Sequence, residues 1–208
     1  LYVFTLTYIK NFFNIFLRIY DDIDIIIILI YFKENILKVI VTEYNKLWPS
    51  LFEKEAEKIK SILKDECIEI YHIGSTAVEN LKAKPIIDIM PVVKNIVKID
   101  PLNKEFEKIG YECMGEFGIK GRRYFRKGTE IRTHQIHIFE ASNKKDIIRH
   151  LAVRDYLRTH PHIAFEYGEL KEKLSQKFPQ DIESYCDGKD EFVKALEQKA
   201  LKWYKSIC

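Results

Sequence analysis

The sequence predicts a single α+β domain, in which a group of β-strands is followed by a helical C-terminal part. Short apolar or alternating segments, separated by Gly, Pro and Asp residues, follow one another between residues 67 and 140. After Glu140, apolar residues recur instead at the 3.6-residue spacing of α-helices. The chain of 208 residues is long enough for one full hydrophobic core and leaves little room for a second domain.

Charge and cysteine content restrict the classes of function. Charged residues make up 31% of the chain, the formal net charge is +3, and Lys and Arg are interleaved with Asp and Glu. This balance argues against binding to duplex nucleic acid, which a strongly basic patch would indicate, and leaves small phosphorylated ligands open. The four cysteines form no CxxC pair, so they indicate neither a zinc ribbon nor a disulfide framework, and a reducing cytoplasm is the predicted compartment.

Residues 1–37 read as an atypical apolar N-terminal extension, rich in Phe, Tyr, Ile, Asn and Lys, before a domain predicted for residues 38–208. Its most apolar part, residues 23–32, is far shorter than the roughly 20 residues of a transmembrane span. Basic residues interrupt the earlier apolar run, which argues against a secretory signal. A membrane-surface segment, a partner-binding element, an extension packed on the domain and translation upstream of the true start all stay open. The A/T-rich codon composition favours the last.

The first elements of the domain are predicted to be structural. Residues 39–41 are compatible with a short strand. A helix is predicted to start at Ser50, because Ser50 and Glu53 have the spacing of a capping box, and apolar residues then recur at helical spacing to about Lys64. We interpret this helix as a packing element and not as a site.

A strand followed by a tight turn is predicted next. Residues 67–73 alternate between apolar and polar positions, and Gly74 and Ser75 break the pattern. Thr76 and Glu79 again have capping-box spacing, so a helix is predicted to start there. Unpaired backbone N–H groups and the helix dipole would make this turn an anion site. The signal is weak by itself, since most such turns bind no ligand.

The next strand carries one carboxylate among apolar neighbours. In the run from Ile86 to Met90, Asp88 is the single polar residue. Period-two alternation turns Ile87 and Ile89 to the core and Asp88 to the other face. Burying an isolated carboxylate costs free energy unless a cation or a donor meets it. Asp88 is therefore a candidate metal ligand, and the alternative is a hydrogen-bonded aspartate at a strand edge.

The middle of the chain is predicted to hold a helix, a strand and a basic hairpin. Asp100 at the N-cap and Pro101 at the first helical position predict a helix that stops at Gly110, and a strand follows at 111–117. Residues 118–128 then alternate basic and aromatic side chains between glycines. Arginines in this pattern clamp phosphate bidentately, and the alternative is a solvated hairpin whose charges discourage strand addition. The arginines concerned are Arg122, Arg123 and Arg126.

A strand is also predicted at residues 132–140. Its alternation places Gln135 and His137 on one face. If this strand lies beside the strand of Asp88, then Asp88 and His137 share one open face. A histidine there can serve as a metal ligand, a general base or a phosphate donor.

The remainder of the chain is predicted to form three helices with apolar core faces. The first closes at Pro161, the second closes at Pro179 and the third runs through Trp203. Polar residues on the first helix are candidates for the rim of a site: Arg149, His150, Arg154, Asp155 and Arg158.

Six separate blocks closely resemble, in the same order, the GrpB family over about residues 38–205. They are Trp48–Pro49 with Phe52, His72–Val78, Lys84–Ile89, Gly121–Lys127, Thr133–His134 with His137, and His150–Arg158. The resemblance implies a nucleotidyltransferase-like fold: a mixed sheet of about five strands, helices mainly on one face, and a helical C-terminal part. Members of the family also occur fused to dephospho-coenzyme A kinase, which implies a link to coenzyme A metabolism.

The resemblance also implies a metal site. In the nucleotidyltransferase superfamily a Gly-Ser turn holds the triphosphate, and carboxylates spaced Asp-x-Asp, with a third from a later strand, bind divalent metal ions. Gly74 and Ser75 match the turn, and Asp88 matches the first carboxylate. Met90 occupies the second position and His137 stands where the third is expected. Because a thioether is a poor ligand for Mg²⁺, the two-metal site is depleted.

Together these features predict a metal-dependent nucleotidyltransferase-like protein acting on a nucleotide or a phosphorylated small molecule. Asp88 and His137 are the predicted catalytic residues and the ligands of Mg²⁺ or Mn²⁺. One alternative is a non-catalytic module that binds a nucleotide or a coenzyme A-like ligand. Another alternative is a domain with a structural role only, in which the arginines and Asp88 form a buried ion network. The predicted phosphate-binding residues are Gly74, Ser75, Thr76, Lys84, Arg122, Arg123 and Arg126.

Overall fold

The computed structural model describes residues 39–128 and 131–207. The interpretations of residues 1–37 concern a segment outside this described part of the chain. Within the described part, no helix is both long enough and apolar enough to cross a membrane.

A five-stranded mixed β-sheet organises the domain. Its strands are β1 (Cys67–Ile73), β2 (Ile87–Val93), β3 (Tyr111–Cys113), β4 (Arg122–Lys127) and β5 (His134–Glu140). The strand order is β1-β2-β5-β4-β3, in which β2 and β5 run parallel and the other neighbouring pairs are antiparallel. The predicted α+β class with a mixed sheet of five strands is therefore confirmed.

Five α-helices lie in the described ranges. They are α1 (Trp48–Leu63), α2 (Asn103–Lys108), α3 (Lys144–Thr159), α4 (Pro161–Lys177) and α5 (Ile182–Ile207). Short 3₁₀ turns occupy Lys64–Glu66, Ser75–Ala77 and Ile96–Leu102. The three predicted C-terminal helices are confirmed, and two of them end before prolines because proline cannot continue the hydrogen-bond ladder.

The core has a separate apolar cluster on each face of the sheet. On one face, Ile89 of β2 packs with Ile59 of α1 in a cluster that also takes in α2 and β5. On the other face, Met90 and Phe139 pack beneath Leu151 of α3. A further cluster joins α3, α4 and α5 into the helical C-terminal part. Neighbouring residues of β2 therefore face different helices, as the two-residue period of a strand requires.

Helix α1 begins earlier than predicted. It starts at Trp48 and not at Ser50, with Pro49 in its first turn. Proline is favoured at this position because its missing N–H would have no partner inside the helix. The Ser50 hydroxyl donates a 2.9 Å hydrogen bond back to the Leu47 carbonyl, so the predicted capping box is not formed.

The predicted helix start at Asp100 is also wrong. The 3₁₀ turn begins before it, where the side chain of Asn95 accepts a 3.0 Å hydrogen bond from the Val97 N–H. Pro101 lies inside that turn, and α2 follows. The predicted stop at Gly110 fits the structure, since Gly110 has a φ of +90° just after the helix.

The strand predicted at residues 39–41 is not formed. The Val39 N–H donates to the Pro179 carbonyl at 2.7 Å, and Thr42 makes an isolated bridge with Ala83. Backbone hydrogen bonds therefore connect residues 39–42 to the end of α4 and to the loop before β2. This segment contributes no strand to the sheet.

Strand β3 is shorter than the predicted strand at residues 111–117. It ends at Cys113 because the following loop takes up left-handed backbone conformations that a strand does not contain. Gly115, Phe117 and Gly118 have φ values of +60°, +42° and +84°. The loop returns the chain to β4, which pairs antiparallel with β3 as a hairpin.

Candidate functional site

A cavity of about 240 Å³ lies where the first two strands meet the C-terminal helices. Four residues predicted from the sequence line it: Gly74, Ser75, Lys84 and Asp88. Gln135 of β5 also lines it, because it pairs in register with Asp88 across the parallel strands. The structure therefore brings the predicted turn and the predicted carboxylate into one concave site.

Gly74 places the turn after β1 directly against the carboxylate of Asp88. Its φ is +70°, a conformation that residues with a side chain rarely adopt. A Cβ atom at Gly74 would overlap Oδ2 of Asp88 and lie 3.1 Å from its Cβ. Glycine is therefore required here both by the backbone conformation and by the close approach of the two strands' ends.

The turn after Gly74 does not start an α-helix. Ser75–Ala77 form a single 3₁₀ turn, after which Val78 is extended. The Thr76 hydroxyl is buried, donates to the Ile86 carbonyl at 3.2 Å and lies 3.0 Å from Nε2 of His72. Because these contacts occupy Thr76, the predicted capping box is absent, and any anion binding here rests on the turn itself and not on a helix dipole.

Asp88 and His137 share one face of the sheet, as their alternation predicted. β2 and β5 are neighbours, and Asp88 Oδ1 lies 3.6 Å from His137 Nε2. This separation is longer than a hydrogen bond but short enough for electrostatic interaction. The flanking Ile87 and Ile89 are buried in the opposite cluster.

Arg122 fixes the orientation of the His137 ring. Its Nη1 lies 3.3 Å from His137 Nδ1, and its Nη2 donates to the Phe117 carbonyl at 2.7 Å. A guanidinium has no acceptor, so Nδ1 accepts and the neutral imidazole carries its proton on Nε2, which faces Asp88. Arg122 is only 6% exposed and does not line the cavity. Arg122 therefore contacts the His137 ring at Nδ1, while Nε2 of the same ring faces Asp88.

These residues do not fit a two-ion centre. Within the described ranges no group of three or more His, Cys, Asp or Glu residues is arranged to hold a metal ion. Met90 is 0% exposed, in an apolar cluster with Ile73 and Phe139, so its side chain is sealed off from the cavity. A single Mg²⁺ or Mn²⁺ on Asp88 does fit, since Mg²⁺ is commonly bound by one or two carboxylates together with water and substrate phosphates.

The C-terminal helices also supply lining residues, none of which is among the site residues predicted from the sequence. Tyr167 and Lys171 of α4, and Tyr185 and Lys189 of α5, line the cavity. Lys171 is only 3% exposed, and its Nζ donates a 2.9 Å hydrogen bond to the Ser75 hydroxyl. The sequence contains one indication that Lys171 has a special role. Lys171 falls four residues after Tyr167, on the apolar stripe of its helix, where a lysine needs a partner.

The cavity is electropositive and changes the ionisation of its own lysines. Burial lowers the pKa of Lys171 to about 7, with Lys189 and Lys84 acting in the same direction and Asp88 opposing them. Burial also lowers the pKa of Lys84. For Tyr167, burial raises the pKa to about 12, so its phenol stays protonated near neutral pH. Asp88 is thus the one carboxylate beside three lysines among the described residues that line the cavity.

Two predicted arginines lie away from the cavity in surface ion pairs. Arg123 donates to both carboxylate oxygens of Asp100, at 2.6 and 2.9 Å. Arg126 is paired in the same way with Glu112, at 2.5 and 3.0 Å. A phosphate-binding role for these arginines stays a prediction.

The polar residues of α3 brace the turn. Arg158 donates from Nε and Nη2 to the Ala77 carbonyl at 2.9 and 2.7 Å, and Arg154 donates to the His72 carbonyl at 3.2 Å. The ring of His150 lies 5.6 Å from that of His137, and burial lowers the His150 pKa to about 2. His150 is therefore neutral near pH 7 and adds no charge to the site.

The fold and the cavity define an α+β protein with a glycine–serine turn, one carboxylate and three lysines around a concave site. The chain belongs to the GrpB family, whose sequence profile, described as GrpB protein, matches residues 38–199.

The relatives agree with this assignment. The UPF0157 protein YqkA of Bacillus subtilis is 45% identical over 81% of this chain and 49% of its own length. The Glutamate-rich protein GrpB of Alkalihalophilus pseudofirmus is 33% identical over 75% of this chain and 92% of its own length. The crystal structure of conserved protein GrpB from Enterococcus faecalis superposes with a TM-score of 0.78 and 54% identity, over 79% of this chain and 99% of that chain. The chain thus spans about half the length of the B. subtilis relative.

Proposed function

We propose that this protein binds the phosphate groups of a nucleotide or a phosphorylated small molecule in the cavity and acts on it as a metal-dependent nucleotidyltransferase in the cytoplasm. One observation carries the proposal. The turn residues Gly74 and Ser75, three lysines and Asp88 line the same cavity. The resemblance of the family to the nucleotidyltransferase superfamily supports the choice of chemistry.

The lysines favour an anionic ligand. Lys84, Lys171 and Lys189 face one carboxylate, so the cavity carries excess positive charge that phosphate oxygens would balance. The Ser75 hydroxyl accepts from Lys171 and also interacts with the Tyr167 phenol, so it would turn its proton from Tyr167 to a phosphate oxygen when a ligand binds. Binding would also favour the charged form of Lys171, since a phosphate replaces the solvation that burial removes.

Asp88 is the residue that would hold one Mg²⁺ or Mn²⁺. When bound, such an ion neutralises phosphate charge and helps to orient an attacking hydroxyl. The protein's part is to orient the carboxylate: Gly74 contacts it on one side and His137 lies 3.6 Å away on the other. Arg122 in turn holds His137 in the tautomer whose Nε2 proton faces Asp88.

A non-catalytic role in binding a nucleotide or a coenzyme A-like ligand is the second candidate. The burial of Met90 favours it, because among the described residues Asp88 is the one carboxylate that lines the cavity. The same lysines and turn would serve this role, since a coenzyme A-like ligand also presents phosphates. The two candidates differ in whether a bond to phosphorus is broken.

Thermal unfolding with nucleotides, with and without Mg²⁺ or Mn²⁺, tests the proposal. Selective binding to the folded state raises the unfolding midpoint. We expect Asp88→Asn to abolish the extra rise that the metal ion causes while the lysines still bind phosphate. Asp100→Asn, at a surface carboxylate paired with Arg123, is the matched control and should keep the metal effect.

The outcomes separate the candidates. Pyrophosphate release from a nucleoside triphosphate, lost in Asp88→Asn, supports transferase activity. Metal-dependent binding without pyrophosphate release across candidate acceptors supports the binding role. If no nucleotide or phosphorylated compound raises the midpoint, both candidates fail.

A further inference from the structure

A row of aromatic rings leads from the candidate site to the protein surface. His137, beside Asp88, has its ring centroid 5.2 Å from that of Tyr124. Tyr124 in turn stacks on Phe117, with centroids 5.1 Å apart and planes inclined by 15°. Asp88 lines the cavity and lies 3.6 Å from His137, so the row begins beside a residue of the site, although the three rings are not themselves among the residues that line the cavity.

Phe117 is held in an unfavourable position. Its side chain is 55% exposed, and its φ is +42°, which is uncommon and costly for a bulky residue. The glycines two residues before it and one residue after it also have positive φ, so the whole loop presents Phe117 outward. Strained residues of this kind cluster at functional sites, where the surrounding structure maintains them.

The loop is tied to the site by one side chain. Arg122 donates from Nη2 to the Phe117 carbonyl at 2.7 Å, and from Nη1 it contacts His137 Nδ1 at 3.3 Å. The guanidinium also lies 4.8 Å from the centroid of the Tyr124 ring. The position of Phe117 and the orientation of His137 are therefore set together.

Exposure alone would not single out Phe117, since isolated exposed phenylalanines are normal. Phe165 of α4 is 65% exposed and sits in a regular helix away from the cavity lining. Phe117 differs in its stacked partner, its backbone conformation and its connection to His137. A flat apolar ring with a second ring behind it is the surface on which a nucleobase stacks.

On the basis of the proposed function, we propose that Phe117, supported by Tyr124, stacks on the base of a nucleotide whose phosphates occupy the lysine-lined cavity. The ligand would extend from Lys171 past Asp88 to Phe117. Stacking on an aromatic ring tolerates every base, because each base has a π-face. The protein therefore requires a base but discriminates weakly among the four.

Calorimetric titration of ATP, GTP, CTP, UTP and inorganic tripolyphosphate tests this inference. Loss of one stacking contact should weaken binding of each nucleotide by about 5- to 150-fold in Phe117→Ala. Affinity for tripolyphosphate should not change, since it has no base. Phe117→Leu should lose affinity as Phe117→Ala does, whereas Phe117→Trp should retain it. Phe165→Ala is the matched control and should bind all five compounds as the wild type does.

Three results would overturn the inference. Phe117→Ala could bind nucleotides as tightly as Phe165→Ala, or it could weaken tripolyphosphate and nucleotides equally, which would show only a structural role through Arg122. The wild type could also bind tripolyphosphate but none of the four nucleotides, which would leave the phosphate site intact without a base platform. If the wild type binds none of the five compounds, the inference also fails, and the proposed function then depends on whether another phosphorylated compound raises the unfolding midpoint.

Discussion

Lys171 Nζ donates a 2.9 Å hydrogen bond to Ser75 Oγ, and this contact joins two residues 96 positions apart in the chain. Ser75 belongs to the turn after the first strand, and Lys171 belongs to α4 in the helical C-terminal part. A nearly fully buried lysine is costly unless it is paired, and its hydroxyl partner carries no charge. Among the residues that line the cavity, Asp88 is the one carboxylate beside this lysine and two others, which is why we propose an anionic ligand for this site.

The first prediction concerns the pH dependence of phosphate binding. The pKa of Lys171 is lowered to about 7 in the free protein, so the amine is charged below that pH and neutral above it. An anionic ligand favours the charged amine, so binding should take up a proton, and the contribution of Lys171 to tripolyphosphate affinity should decline above about pH 7. Titrations between about pH 6 and about pH 9, in buffers of different ionisation enthalpy, measure both effects.

Lys171→Met isolates this contribution. We expect affinity for tripolyphosphate to fall about 10- to 100-fold near pH 6, because a hydrogen bond to a charged group is lost, and the proton uptake to disappear. Lys173→Met, an exposed lysine on the same helix, should keep the wild-type affinity and proton uptake. Equal behaviour of the two variants would contradict the assignment of Lys171 to the site.

The second prediction concerns the close approach of Gly74 to Asp88. Gly74→Ala adds a Cβ that overlaps Asp88 Oδ2 at a backbone φ of +70°. We expect the free energy of unfolding to fall by about 2–4 kcal/mol, and the metal effect on nucleotide binding to be lost because the carboxylate is displaced. Urea denaturation and the thermal assay with Mg²⁺ measure the two effects.

Gly115→Ala controls for backbone strain alone. Gly115 has a φ of +60°, and an added Cβ would meet no atom within 4 Å. We expect a loss of about 1 kcal/mol with the metal effect retained. If both alanine variants lose the same stability and keep the metal effect, the contact with Asp88 is not important.

The third prediction concerns the position where the family resemblance leads one to look for a second carboxylate. Met90 is fully buried in an apolar cluster beneath α3. Met90→Asp should therefore lower the free energy of unfolding by about 4 kcal/mol or more and should not create a metal site. Met90→Leu, which nearly conserves volume, should lose less than about 1.5 kcal/mol. A stable Met90→Asp protein with a stronger response to Mg²⁺ would show that this position does open to the cavity.

The sequence by itself determined the local features of the site. The two-residue period of β2 turned Asp88 away from the core-facing Ile87 and Ile89, that of β5 put Gln135 and His137 on one face, and the Gly74–Ser75 break marked the end of β1. These features follow from backbone geometry, which acts over a few residues and leaves its period in the sequence. The ends of α3 and α4 at prolines were predictable for the same reason.

Only the tertiary structure decided which of these features form one site. The packing of α4 and α5 brought Lys171 and Lys189 to the cavity, and the packing of α3 buried Met90. The tertiary structure also paired Arg123 and Arg126 with surface carboxylates. Such contacts depend on how helices pack on the sheet, which is set by many weak interactions between distant residues and leaves no local periodicity to read. In the sequence, Lys171 stands out only as a charged residue on the apolar face of a predicted helix. Its hydrogen bond to Ser75 forms only when that helix packs against the turn after β1.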